Sequence, residues 1–312
     1  MMQNSLPSNI RRIDPHVHLL PPKAWKGFRV RLPMIGIPHE FIEDVPHELD
    51  AAHYFAYAKQ YGVFGLVNLP VASSAASAKK VREINQWCFE IQNESKDKYE
   101  NRIKSFGAIN PHLSDAEIDA ELDYIVEAGF LGVKLHPIAF PSFQGFDPTD
   151  FRRHDHLYQG IAKRNLMICW HMGGVRLPMS LWEDLKHAAT PEKVAMIIER
   201  YHICSVVAHM GNAPQERVIA SLANKPEALL DTSYTEPVPG VITPFIRTIT
   251  SQDIRLAISE FGIERILPGS DFPYRSIRVT IDAFNRLNLS EAEARTIWWD
   301  NPVRIFGFSD LD

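Results

Sequence analysis

The sequence predicts a closed (β/α)8 TIM barrel, carried by a single domain over residues 1–312 with loop insertions at its C-terminal rim. Three observations point there. Eight short apolar runs alternate with longer helical patterns along the whole chain. The runs are rich in Val, Ile, Leu and Ala without strict alternation, as strands covered on both faces are. No G-x-G-x-x-G follows the first run, which argues against a doubly wound open sheet.

The runs span 13–18, 63–69, 103–110, 131–136, 166–171, 204–209, 228–233 and 266–271. The helical patterns between them carry their own start and stop signals. Ser114 is a natural N-cap, Glu117 completes a capping box, and Gly129 stops the helix. Thr190 precedes Pro191, the residue suited to a first helical position. Thr250-Ser251-Gln252-Asp253 opens a helix that ends at Gly262, and residues 48–60, 74–96 and 276–287 also read as helical. Three stretches, 19–47, 138–152 and 236–248, follow strand ends and read as insertions. They are expected to wall the mouth, where this architecture builds its sites.

Composition narrows the class. Hydrophobic residues make up 45% of the 312 and charged residues 23%, which excludes a disordered or collagen-like chain. Lys plus Arg number 33 against 38 Asp plus Glu, with no basic stripe, so nucleic acid is not an expected partner. Cys88, Cys169 and Cys204 form no C-x-x-C pair, which fits a reducing, cytoplasmic compartment. The start, MMQNSLPSNIRRID, has no apolar core of a signal peptide, and no uninterrupted apolar stretch reaches ~18 residues. The expected partner is a small-molecule substrate. The 19–47 insertion, with its Pro and apolar residues, suits a homodimer contact.

The chemistry lies in where the histidines fall. His16 and His18 close the first run, His136 the fourth, His171 the fifth and His209 the sixth, while Asp271 closes the eighth. A barrel gathers those termini at one mouth. An H-x-H pair on a strand points both imidazoles to one face, a natural chelate for zinc. Asp14 shares that parity and reads either as an acceptor orienting a histidine or as a structural carboxylate. His171 and His209, taken singly, read as core or cap residues. Both, however, stand in His-Met-Gly at the ends of neighbouring strands. Asp271 alone reads equally as a helix N-cap. Together, His16, His18 and His171 offer nitrogen and Asp271 offers oxygen, leaving a position for water. In this reading Asp271 is ligand and proton acceptor, and His209 is a hydrogen-bond donor or proton shuttle.

The segments IDPHVH, GVKLHP, ICWHMGG, VVAHMG, LPGSDFP and DNPVRIFG resemble those of the amidohydrolase superfamily, in its amidohydrolase-2 branch. That branch holds decarboxylases of the aminocarboxymuconate-semialdehyde type alongside lactonases and hydratases. The resemblance runs from Asp14 to Gly307. It implies that His16, His18, His171 and Asp271 hold one divalent metal ion, zinc by preference, and that His209 acts on substrate or water. Some members carboxylate a lysine at the end of strand four to bridge two metals. Here Lys134, two residues before His136, reads instead as a charge partner or substrate contact of a one-metal site. His136 reads as a pocket residue or as packing. Arg176, Tyr274 and Arg275 follow strand ends and are candidate substrate contacts, an arginine there being able to clamp a carboxylate; the alternative for each arginine is plain surface.

The expected activity is metal-dependent hydrolysis of a small amide, ester or lactone. The alternative is non-oxidative decarboxylation of a small unsaturated or aromatic acid with the same ligands, for which Arg176 and Arg275 would be decisive. A barrel that only binds a ligand is the third reading.

Overall fold

The computed structural model describes residues 10–31, 43, 45–73, 75–100, 102–137, 145–173, 187–233 and 249–308. Arg176, the whole 236–248 insertion and parts of the other two lie outside these residues. The strands are β1 (Arg12–Val17), β2 (Val63–Asn68), β3 (Ile103–Ser105), β4 (Gly107–Ala108), β5 (Gly132–Leu135), β6 (Met167–Trp170), β7 (Ser205–Val207), β8 (Ala228–Asp231) and β9 (Ile266–Leu267). All pair in parallel, in the orders β1-β2-β3 and β4-β5-β6-β7-β8-β9.

Two seams join these sheets into a ring. The third predicted strand is parted at Phe106 into β3 and β4. Backbone bonding runs through the break, because Phe106 donates its N–H to Asn68 O at 3.0 Å and Leu131 donates to Ser105 O at 2.9 Å. At the other seam Val17 bridges Phe272 in parallel. There Asp271 N–H reaches His16 O at 3.0 Å and His18 N–H reaches Phe272 O at 2.6 Å. The result is the predicted (β/α)8 barrel. The eighth strand is shorter than its apolar run, since Pro268 has no N–H to give and Gly269 follows it.

Both faces of the strands are buried, which explains their unbroken apolar reading. Ile13, Val67, Phe106, Cys169, Val206, Leu229 and Leu267 pack together inside the ring. On β5, Lys134 alternates with Val133 and Leu135, which face outward into the helix layer beside Ile168, Trp170, Ile118, Leu157 and Val194. Each fully buried aliphatic side chain contributes about 1.5–3 kcal/mol.

The helices begin where their caps predict. Ser114 and Glu117 form the capping box of Asp115–Glu127, and Thr250 and Asp253 that of Ser251–Phe261. Thr190 caps Pro191–Tyr201, and Ser276 caps Ile277–Asn285. Such a cap is worth about 1 kcal/mol. Because Ser276 fills that role, Asp271 is not the helix N-cap. Helices Ala51–Lys59 and Ala78–Lys98 occupy the other two predicted stretches. Within the first insertion, helix Pro22–Arg31 buries Trp25, whose indole N–H donates to His47 O at 3.0 Å. Among the described residues no helix is long and apolar enough to cross a membrane.

One buried histidine gives the outer layer a pH dependence. His154, on helix Phe151–Lys163, lies 5.2 Å from the Phe146 ring and 5.8 Å from the His112 ring. Burial pushes its imidazole down to about 4. The folded protein therefore keeps it neutral where the unfolded chain, at about 6.5, takes up a proton. The stability this provides is present above pH ~6.5 and is lost as pH falls towards 4. His154→Phe should flatten that loss, by up to about 2 kcal/mol between pH 6.5 and 5. Urea midpoints of both proteins at the two pH values measure it.

Candidate active site

The strand ends bring most of the predicted residues to one mouth. His16, on β1, and His18, just past its end, approach each other at Nε2 to 3.2 Å. Asp271 enters from the stretch after β9, its Oδ1 lying 3.2 Å from His16 Nε2 and 3.1 Å from His18 Nε2. All three residues are buried, and their ligand atoms lie within 4.8 Å of one another.

The far side of each ring decides what these atoms can do. His16 Nδ1 pairs with the carboxylate of Asp231. His18 Nδ1 lies 2.6 Å from the backbone oxygen of Leu69. Both partners only accept, so each Nδ1 carries the proton and each Nε2 presents a lone pair. Two lone pairs and a carboxylate oxygen thus converge on one point. Buried acceptors at that distance repel unless something positive stands among them. Burial alone would lower His16, but the Asp231 carboxylate holds it up to about 9, so a cation at its Nε2 would have to displace a proton. Asp271 is kept well below the ordinary carboxylate range, the two imidazoles overcoming its burial. Two imidazoles and one carboxylate, each fixed from behind, are a donor set that fits a divalent ion.

His171 stands one ring away from that triangle. It stacks on His136 with centroids 3.8 Å apart, and its Nδ1 lies 3.1 Å from His209 Nε2. Its buried Nε2 has no hydrogen-bond partner among the described residues. His209 sits between the two groups, 5.4 Å from the His16 ring and 4.8 Å from the His171 ring. Burial pushes both His136 and His209 down to about 3, so both are neutral at ordinary pH.

His209 is held by unusual backbone. His209, Met210, Gly211 and Asn212 all have positive φ, at 55°, 50°, 77° and 45°. Each non-glycine residue there costs of order 1 kcal/mol or more, so surrounding contacts must fix the turn. They do: Gln215 Nε2 donates to Met210 O at 3.2 Å, and Asn212 Nδ2 donates to Met172 O at 3.3 Å. The second contact joins the two His-Met-Gly turns. A Cβ on Gly173 would lie 2.0 Å from that Asn212 nitrogen, so only glycine fits.

The remaining candidates divide. Lys134 is buried in the ring and its Nζ donates to Cys169 Sγ at 3.5 Å. Burial pushes that thiol up to about 11, so it is a neutral and weak acceptor. Tyr274 presents its ring edge-on to His18 at 5.5 Å. Arg275 is buried rather than a surface arginine. Asp14 leaves the predicted parity, because the β1 register shifts between Asp14 and Val17. Its carboxylate accepts from Ser270 and from His16 N–H, making it the structural alternative. Asp231 and Ser233, which sequence reasoning passed over, touch His16 and His209 directly. Asp231 ends an apolar run, -Ala-Leu-Leu-Asp-, as Asp271 was expected to; that was the available signal.

A family model described as amidohydrolase matches residues 13–308. The chain belongs to the amidohydrolase-2 family. No curated protein matches it in sequence. Solved structures similar to this amidohydrolase-2 chain share its barrel. An uncharacterised TIM-barrel protein from Bordetella bronchiseptica is 17% identical, with a TM-score of 0.69 over 96% of this chain and 99% of that one. A dihydroxybenzoic acid decarboxylase from Polaromonas, solved with bound manganese and the inhibitor 2-nitroresorcinol, is 16% identical, with a TM-score of 0.67 over 97% and 99%. A Pseudomonas putida protein provisionally named a 2-pyrone-4,6-dicarboxylic acid hydrolase is 14% identical, with a TM-score of 0.63 over 96% and 99%. At these identities the likeness establishes the amidohydrolase-2 barrel and leaves the substrate open.

Proposed function

We propose that this barrel, read as one domain over residues 1–312, is a metal-dependent hydrolase of a small amide, ester or lactone. The observation that carries the reading is the convergence of His16 Nε2, His18 Nε2 and Asp271 Oδ1 within 4.8 Å, with both histidines fixed from behind. In this reading they hold one zinc ion, with His171 supplying a fourth donor. A bound divalent ion supplies Lewis acidity and lowers the pKa of water to about 7. Asp271 accepts the proton of the attacking water, since its carboxylate stays ionised. His209, neutral and fixed beside the triangle, donates a hydrogen bond to the substrate oxygen, and Asp271 passes the proton it took from water on to the leaving group. The protein's buried faces keep bulk water from these groups. In this reading Lys134, His136, Tyr274 and Arg275 are the substrate contacts; Arg176, the other candidate, lies outside the described residues.

One observation favours the second reading, decarboxylation. Lys134, on β5, and Arg275, just before helix Ile277–Asn285, are two buried cationic side chains. Such groups suit a substrate carboxylate. The dihydroxybenzoic acid decarboxylase with its manganese shows the same barrel. There the proton for the carbon that loses carbon dioxide would come from water by way of Asp271, with His209 helping to place it.

Protein purified without chelator should hold about one equivalent of zinc per chain. Panels of lactones, esters and amides, and of hydroxybenzoates with carbon dioxide detection, then separate the readings. Hydrolysis that chelator abolishes and zinc restores supports the first. Carbon dioxide release without hydrolysis overturns it in favour of the second. Protein that stays empty after incubation with zinc overturns both.

A further inference from the structure

The stretch that follows the apolar part of β8, Asp231-Thr232-Ser233, touches two histidines of the mouth at once. Asp231 Oδ2 pairs with His16 Nδ1. Its other oxygen, Oδ1, accepts the backbone N–H of Ser233 at 2.7 Å. Ser233 Oγ in turn lies 2.8 Å from His209 Nδ1 and 3.4 Å from His209 N. We propose that Asp231 and Ser233 are linked positioning residues that fix His16 and His209 in opposite tautomers, making one a cation ligand and the other a hydrogen-bond donor.

The tautomers follow from what each partner can offer. A carboxylate only accepts, so Asp231 places the His16 proton on Nδ1 and leaves Nε2 with its lone pair. Ser233 is fully buried, and its hydroxyl already accepts the backbone N–H of His209. Among the described residues the acceptor within reach of its own proton is His209 Nδ1. A buried hydroxyl does not leave its proton unpaired when such an acceptor is present. His209 therefore accepts at Nδ1 and carries its proton on Nε2, the atom that faces His171 at 3.1 Å.

The packing is built around this pair. A Cβ at Gly269 would fall 2.5 Å from Asp231 Oδ1, 3.0 Å from His16 Cβ and 3.1 Å from Ser233 Cβ. The chain after β9 thus closes directly over the linkage, and a side chain at Gly269 would push it apart. Asp231 and Ser233 act through the histidines and touch neither substrate nor metal. The assignment of His16 as a ligand rests on the proposed function; the tautomer of His209 does not.

Selective 15N-histidine labelling tests the second half on the wild-type protein without metal. His209, assigned by the loss of its signals in His209→Gln, should show a protonated Nε2 and an unprotonated Nδ1. Ser233→Ala should give a mixture of tautomers, and Ser233→Thr, which keeps the hydroxyl, should restore the single form. A wild-type His209 protonated at Nδ1, or a tautomer unmoved by Ser233→Ala, overturns the inference. Zinc affinity, measured by chelator competition on the full chain, tests the first half. Asp231→Asn should weaken zinc by about 10–100-fold, while Ser233→Ala stays within about threefold of wild type. Equal affinity in wild type and Asp231→Asn overturns the role given to Asp231. If Asp231→Asn does not fold, Gly269→Ala, which crowds the same oxygen, should weaken zinc in its place; unchanged affinity there counts against the linkage. A wild type that binds no zinc but shows the stated His209 tautomer removes the metal reading and upholds the serine's role.

Discussion

Asp271→Ala should lose bound metal and activity together. Without its carboxylate, His16 Nε2 and His18 Nε2 face each other at 3.2 Å with no anion between them and the cation they require. The variant also loses the group proposed to accept the proton of water. Activity should fall by about 10⁴-fold or more, because a general base alone is worth up to that much. Metal content per chain, by elemental analysis, should fall by at least about tenfold. Asp271→Asn keeps the shape and an oxygen but not the charge, and should fall between. A variant that retains its full metal complement would show that the carboxylate is not a ligand. His171→Ala should behave like Asp271→Ala in kind, which tests whether the fourth donor comes from beyond the triangle.

His209→Ala should separate the two properties. His209 lies outside the set of atoms within 4.8 Å, and its Nδ1 is committed to Ser233. Its loss should cost about 10²–10⁴ in kcat, the range for a positioned acid or base, while most of the metal stays bound. If the substitution empties the site instead, His209 is a ligand and the roles given to the histidines must be exchanged. Measured side by side, metal content and kcat of the two variants form a cross-check that a general loss of folding would not reproduce.

The barrel was legible because burial on both faces removes polar residues from its strands, and because Ser114, Thr190 and Thr250 cap helices through local contacts. Local chemistry of that kind is written in neighbouring letters. The strand ends also told where polar groups gather, which placed His16, His18 and Asp271 together. What was missed depends on contacts across the ring. Asp231 meets His16 from 215 residues away, and nothing in -Leu-Leu-Asp-Thr-Ser- names its partner. The parity assigned to Asp14 failed because a register shift in β1 leaves no mark on composition. The break at Phe106 is hidden for a similar reason. Its apolar side chain suits a strand, and the interruption lies in which neighbour each half pairs with, β3 with β2 and β4 with β5.

The seam between the chain's first and last strands can close only late in synthesis. β1 is made early, yet its partner across that seam, Asp271-Phe272, lies more than 250 residues downstream, as does Ser270, which anchors Asp14. At ribosomal speeds of ~5–20 residues per second the nascent chain spends many seconds with that edge exposed. An open edge of this kind is a template for pairing with other chains. The same few residues later bring His16, His18 and Asp271 together, so their cluster can form only once the ring has shut. Chains stopped short of Asp271 would carry neither a closed sheet nor a usable centre, and a divalent ion across the seam would act as its latch.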